Sequence, residues 1–271
     1  MSIENITYAD TRRMSGKTSL LLVAGLLVLT TNTAMAGGTC SAKSGDTSIS
    51  LLELYTSEGC SSCPPADQWM STLRTNGLYP GKVVPLALHV DYWNDLGWED
   101  PYSQKIFTQR QYHAARRTGS RTVYTPQFLL NGQEFLRWRQ KGKVSIERAS
   151  SVRPRADISL TLSRHANEVE ITTDVRTDPR GGRAEFYIVL FENNLTTRVP
   201  AGENQGETLR HDFVARRWLG PIPLSVKDAT SFTHRLSLDK TWKVDDMGVA
   251  AFVQDRENGE VWQALARPFC S

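Results

Sequence analysis

The chain has 271 residues, with 32 Lys and Arg against 29 Asp and Glu, a formal net charge of +3, and 39% hydrophobic residues. So small a surplus gives no reason to invoke nucleic acid or an anionic bilayer, and the composition is that of an ordinary soluble globular protein. No Walker loop, glycine-rich dinucleotide loop, repeat or low-complexity run occurs, so no nucleic acid partner and no cofactor is expected.

In chain order, Arg12, Arg13 and Lys17 come first, followed by an apolar run from Leu20 to Leu29 and then by Ala34 and Ala36 in an A-x-A arrangement. Basic, apolar and small-residue regions in that order predict a signal peptide over residues 1–36 and a periplasmic or secreted product. The apolar run is shorter than the roughly twenty residues of a membrane span, so no span is expected in the mature chain.

The next segment, "SISLLELYTS" (Ser48 to Ser57), is a nearly continuous apolar run, as in a strand covered on both faces. Cys60 and Cys63 follow in "GCSSCPP". A helix is then predicted from "PPADQWMSTLRTNG", with proline at its start, an acid in its first turn and Gly77 past its end. "KVVPLALHVDYW" is a second buried strand. Asp100 and Pro101 predict the start of a helix of about eighteen residues ending near Gly119. "TPQFLLNGQEF" supplies a strand, an Asn131-Gly132 hairpin turn and the opening of another strand, and a short helix is predicted around Lys141 to Ser151. Strand, helix, strand, helix and hairpin is a thioredoxin-like order.

Near Arg153 the pattern changes. "DISLTLSR", "EVEITTDVRT", "AEFYIVLFEN", "SFTHRLSL", "GVAAFVQD" and "EVWQALARPF" are short strand-like segments separated by turns such as Asn193-Asn194 and Asn258-Gly259. Closely spaced strands without helices predict an antiparallel β-sandwich. The expected fold class is therefore an α/β thioredoxin-like domain over residues 37–152, followed by an all-β antiparallel sandwich domain over residues 153–271.

The cysteines take their meaning from these positions. Cys60 falls where a strand gives way to a helix, near unpaired N–H groups and the positive end of the helix dipole, which favour a thiolate and mark it as the attacking sulfur. Cys63, about one turn later, is placed to resolve a mixed disulfide. Zinc needs about four ligands, and the other two cysteines, Cys40 and Cys270, lie at opposite ends of the mature chain with no H-x-x-x-H pair to help, so no metal is expected. A purely structural Cys60–Cys63 bridge stays open as a rival, although so short a loop restrains the unfolded chain weakly. Cys40 and Cys270 either stay free or, as an oxidising compartment favours, form a structural disulfide that closes nearly the whole mature chain and is worth roughly 3–5 kcal/mol in the chain-entropy model.

Thr125-Pro126 in "VYTPQFLLNG" stands where thioredoxin-like folds carry a cis-proline facing the cysteine pair. There Pro126 would shape a substrate groove, with Thr125, Trp93 and Trp98 as substrate-binding candidates beside Tyr92 and Tyr102. Core packing is the alternative for the aromatic residues. Glu53, in an otherwise apolar strand, is a candidate proton acceptor for the resolving thiol, with a solvent-facing glutamate as the plainer alternative.

Together "ELYTSEGCSSCPPAD", "LHVDYWNDLGWEDPYSQKIFTQRQ", "VYTPQFLLNG" and "GENQGETLRHDF" closely resemble the secreted domain-of-unknown-function 1223 family. That resemblance implies a thioredoxin-like fold, export and the Cys60/Cys63 pair, and it implies no substrate. Compared with thioredoxin, Gly59 stands in place of a tryptophan and Pro64 in place of a common lysine. His89 and Asp91 end the second strand at the side where ligands of parallel sheets gather, and His89 with the two cysteines offers a copper-binding alternative. Glu203, Asn204, His211 and Arg217 belong to a stretch that fits a domain interface, a partner surface or a hairpin arm.

The resulting expectation is an exported thiol-disulfide oxidoreductase. Cys60 attacks, Cys63 resolves, protein thiols or disulfides are the substrate, and an unidentified redox partner resets the pair. The alternatives are a binding or assembly module with an inert disulfide, and a copper-binding protein.

Overall fold

The computed structural model describes residues 38–178, 182–224 and 229–270; the signal peptide expected over residues 1–36 lies outside them. The first elements are β1 (Thr39–Lys43), β2 (Ser50–Thr56), α1 (Pro64–Ser71), β3 (Val83–His89) and α2 (Lys105–Arg117). Next come β4 (Gln127–Leu130), β5 (Gln133–Glu134), α3 (Trp138–Ala149), β6 (Ala156–His165) and β7 (Glu168–Thr177). The remainder is all strand: β8 (Ala184–Glu192), β9 (Leu195–Arg198), β10 (Thr208–His211), β11 (Val214–Pro223), β12 (Thr230–Ser237), β13 (Met247–Asp255) and β14 (Val261–Pro268). No described helix is long and apolar enough to cross a membrane.

These elements correct the expected fold class. The protein is mostly β, with three α-helices among the described residues, and not an α/β thioredoxin-like domain followed by a separate sandwich. Strands from both sides of residue 152 merge in one eight-stranded sheet of order β14-β13-β8-β11-β3-β2-β4-β5. The junction is β3 against β11, where Val214 registers with Ala87 and the Ala87 N–H donates to the Phe213 carbonyl at 2.8 Å. An isolated first domain would leave the Ala87 N–H on that edge of β3 unpaired, and the start of β11 meets it.

A four-stranded antiparallel sheet, β1-β6-β7-β12, packs on one face of the large sheet. Its strands β6 and β7 alternate as a half-exposed sheet requires, turning Ile158, Leu160, Leu162, Val169, Ile171 and Val175 inward. β8 does not alternate, and all nine of its residues are buried. Phe186, Ile188 and Leu190 face the small sheet, while Tyr187, Val189 and Phe191 enter a second core with Met70 of α1, Phe107 of α2 and Ile146 of α3. β13 divides in the same way, with Val249, Ala251 and Val253 on one side and Ala250 and Phe252 on the other. Each such large side chain contributes about 1.5–3 kcal/mol of transfer free energy, so the large sheet is the shared wall of both cores.

A disulfide joins Cys40 in β1 to Cys270, just past β14, with Cα atoms 5.8 Å apart and a sequence separation of 230. α2 starts at Lys105, four residues later than expected, and Asp100 instead caps a separate turn, its Oδ1 accepting the Tyr102 N–H at 2.9 Å and its carbonyl the Ser103 N–H at 3.1 Å.

Candidate functional site

Cys60 and Cys63 are disulfide-bonded in the turn between β2 and α1, with Cα atoms 5.5 Å apart. Cys63 is the N-cap of α1, and Pro64 and Pro65 occupy its first positions, where missing N–H groups cost nothing. The Cys63 N–H donates to the Cys60 carbonyl, and that of Cys60 to Ser57, so the turn is closed by its own backbone. Both cysteines have 0% exposure, whereas Ser61 and Ser62 face solvent. The Ser62 hydroxyl lies 3.3 Å from Cys60 Sγ.

The turn is also held from the second half of the chain. β9 and β10 form a hairpin whose intervening loop reaches over the turn. Asn204 Nδ2 donates to the Glu58 carbonyl at 2.8 Å and to the Cys60 carbonyl at 3.0 Å, and Glu203 Oε2 accepts from the Ser61 N–H at 3.0 Å. That last bond lowers the pKa of the exposed Glu203 carboxyl. The stretch expected to be an interface or a hairpin arm is therefore a hairpin whose loop is pinned to the cysteine turn. Arg217 is elsewhere, over the Trp242 ring.

The aromatic candidates divide. Trp93 packs beside Gly59, where an added Cβ would stand 3.3 Å from Trp93 Cβ, and its indole N–H donates to Thr125 Oγ1 at 2.8 Å. Trp93 thus links the cysteine turn to the Thr125–Pro126 peptide, which is cis. The Trp98 indole donates to Glu58 Oε2 at 3.0 Å and its Cβ rests against Gly202 of the covering loop. Glu53 points away from this group. Its carboxylate is paired with Arg110 and accepts from Tyr55, not from either cysteine, and Arg110 in turn stacks on Tyr187, Trp218 and Phe252.

Below the turn lies a buried group of ionisable residues: Glu58, Asp67, His89, Asp100 and His211, none more than 5% exposed. Their sources are four: the residues after β2, helix α1, the end of β3 with the loop that follows, and the end of β10. Asp100 Oδ2 is 2.7 Å from His89 Nδ1 and also accepts the Glu58 N–H, while Oδ1 accepts the Tyr102 N–H. Burial opposes ionisation of Asp100, but the charge and hydrogen bond of His89 and the two backbone donors outweigh it and hold the carboxyl below its ordinary value. His211 Nε2 lies 3.1 Å from Glu58 Oε1, and its Nδ1 lies 3.7 Å from Asp67 Oδ1. Burial disfavours the imidazolium, yet the neighbouring carboxylates of Asp67 and Glu58 prevail and push the pKa of His211 up to about 10. The His89 and His211 rings meet edge to face at 4.9 Å, with Tyr102 against both.

Sequence reasoning missed Glu58, Asp67 and Asp100 as members of this group. Asp67 follows Cys63 by four positions, one helical turn, and that spacing was the available signal. By sequence alone it is a first-turn acid and no more. Glu58, in "TSEGC", has the local pattern of an exposed turn residue.

A family model described as "Protein of unknown function (DUF1223)" matches residues 51–254. A crystal structure of a protein from Agrobacterium tumefaciens is similar with 28% identity and a TM-score of 0.57, over 81% of this chain and 94% of that one. The structure of HBP35 of Porphyromonas gingivalis is similar in fold, with 17% identity and a TM-score of 0.63, over 83% of this chain and 76% of that one. No match is found among curated proteins.

Proposed function

The chain belongs to the family of unknown function DUF1223, and from that premise we propose that it is an exported thiol-disulfide oxidoreductase whose working pair is Cys60 and Cys63. Two disulfides and no free cysteine among the described residues support an oxidising, extracytoplasmic setting, periplasmic or secreted.

The observation that carries the reading is a disulfide closed over only three positions at the N-terminus of α1. Such a loop adds little stability through the unfolded chain, whereas a helix N-terminus favours the thiolate that exchange chemistry needs. In the reducing direction the Cys60 thiolate attacks a substrate disulfide, forming a mixed disulfide and releasing one substrate thiolate, which takes up a proton. The Cys63 thiolate then attacks Cys60 Sγ, restores the internal disulfide and releases the second substrate thiolate. Two electrons and two protons pass from the pair to the substrate, and the opposite direction reverses each step. Direction follows from the potential of the pair relative to its redox partner. Thr125, Pro126 and Trp93 form the adjoining wall against which a substrate segment lies, and Trp98 holds Glu58 beneath the turn. Because both sulfurs are covered, exchange requires the loop carrying Glu203 and Asn204 to lift.

The same burial favours the rival reading, an inert disulfide in a binding module, and one experiment separates the two. The Cys60–Cys63 potential is measured by equilibration with glutathione, and Cys63→Ser is used to trap a mixed disulfide on Cys60. A potential above about −300 mV with a trapped adduct supports exchange; a lower potential with no adduct rejects it.

A further inference from the structure

Beneath the cysteine turn, Asp67, His89 and His211 each offer one ligand atom, and these atoms lie within 4.8 Å of one another. Each of the three side chains has an outer partner on its other atom. Asp67 Oδ2 accepts from Thr56 Oγ1 at 3.0 Å, His89 Nδ1 meets Asp100 at 2.7 Å, and His211 Nε2 meets Glu58 at 3.1 Å. The inner atoms are left over: His89 Nε2 and His211 Nδ1 are buried without a hydrogen-bond partner. A buried imidazole nitrogen with nothing to bond is costly, whereas a histidine held by a carboxylate on one nitrogen and open on the other is the arrangement found around metal ions.

From this geometry we propose that Asp67, His89 and His211 bind a divalent first-row transition metal ion through Asp67 Oδ1, His89 Nε2 and His211 Nδ1. Two imidazoles and one carboxylate suit zinc-like ions with a further position left for water. Asp100 and Glu58 orient the two rings, and Thr56 orients the carboxylate.

The charge balance supports the same conclusion. Glu58, Asp67 and Asp100 are three carboxylates no more than 5% exposed, and among the described residues no Lys or Arg pairs with any of them. The charge that offsets them is otherwise a proton on the histidines between them, and a bound dication displaces that proton and takes over its role. A cavity adjoins the site as well. A cavity of about 230 Å³ is lined by Pro64, Gln68, Leu209 and Arg210, with Asp67 and His211 in its wall. Metal–ligand distances of about 2.0–2.2 Å mean that loading draws the three donors inward by roughly an ångström.

The site contains no sulfur, so it is testable with both disulfides closed and independently of the redox proposal. Untagged oxidised protein is equilibrated with Zn²⁺ and freed of excess ion, and the bound metal is counted. One equivalent per chain is expected. With Co²⁺ the complex should display visible d–d bands without a thiolate charge-transfer band. Asp67→Asn and His89→Gln should each abolish stoichiometric retention, and Asp100→Asn should weaken affinity by about 10–100-fold. Substoichiometric retention by the wild type, a sulfur-ligated cobalt spectrum, or undiminished retention by folded Asp67→Asn would each overturn the proposal. The first two readouts need no variant to fold.

Discussion

Asn204 and Cys60 are 144 positions apart in sequence, yet the Asn204 amide donates to the Cys60 carbonyl at 3.0 Å and to the Glu58 carbonyl at 2.8 Å. One side chain from the far half of the chain thus satisfies two backbone acceptors of the cysteine turn. Asn204→Ala removes both bonds, at about 1–3 kcal/mol for a buried group left unmet. A lower melting temperature is expected, together with several-fold faster iodoacetamide alkylation of Cys60 in the reduced protein. An unchanged alkylation rate would show that this loop does not govern access to the sulfur.

The terminal disulfide ties β1, in the small sheet, to the segment after β14, at the edge of the large one. Replacing Cys40 and Cys270 together by serine should lower unfolding free energy by about 3–5 kcal/mol, measured in urea, because a loop of such length is then free in the unfolded chain. The Cys60–Cys63 potential should stay where it was, since the two bridges are in different parts of the structure.

Glu53 and Arg110 form a buried pair roofed by three aromatic rings. Arg110→Ala leaves the Glu53 carboxylate in the core without its partner and should cost about 3–5 kcal/mol. Glu53→Gln should also destabilise. If Glu53 belongs to the core and not to the redox site, the thiol titration of Cys60 in this variant will match the wild type; a displaced titration curve would return Glu53 to the site.

Two hairpin turns from opposite halves of the chain abut at Gly132 and Gly259. Gly132 has a φ of +79°, and a Cβ built there would clash with the Gly259 carbonyl oxygen, 2.1 Å away. Gly132→Ala therefore combines a left-handed backbone with overpacking against main chain, and a loss of about 1–3 kcal/mol is expected from the overpacking alone. Thermal melts test this, and a loss below the scatter of replicate melts would mean that the two turns separate readily.

The sequence by itself determined the local features. The apolar runs of β2 and β3, the proline-led start of α1, the Asn131-Gly132 turn and the alternation in β6 and β7 all rest on interactions within a few residues. It also located the cysteine pair between a strand and a helix. Which sheet a strand joins is a different kind of fact. "AEFYIVLFEN" and "GVAAFVQD" are continuous apolar runs, unlike the alternating "DISLTLSR", and that contrast was the legible sign that β8 and β13 are covered on both faces. Only the tertiary structure decided that β11 pairs with β3, fusing the expected two domains into one sheet, because backbone hydrogen bonding between strands is blind to sequence distance. It alone also brought Glu58, Asp67, His89, Asp100 and His211 together, since burial and charge pairing depend on which chain ends meet at the sheet edge, and no short-range pattern encodes that.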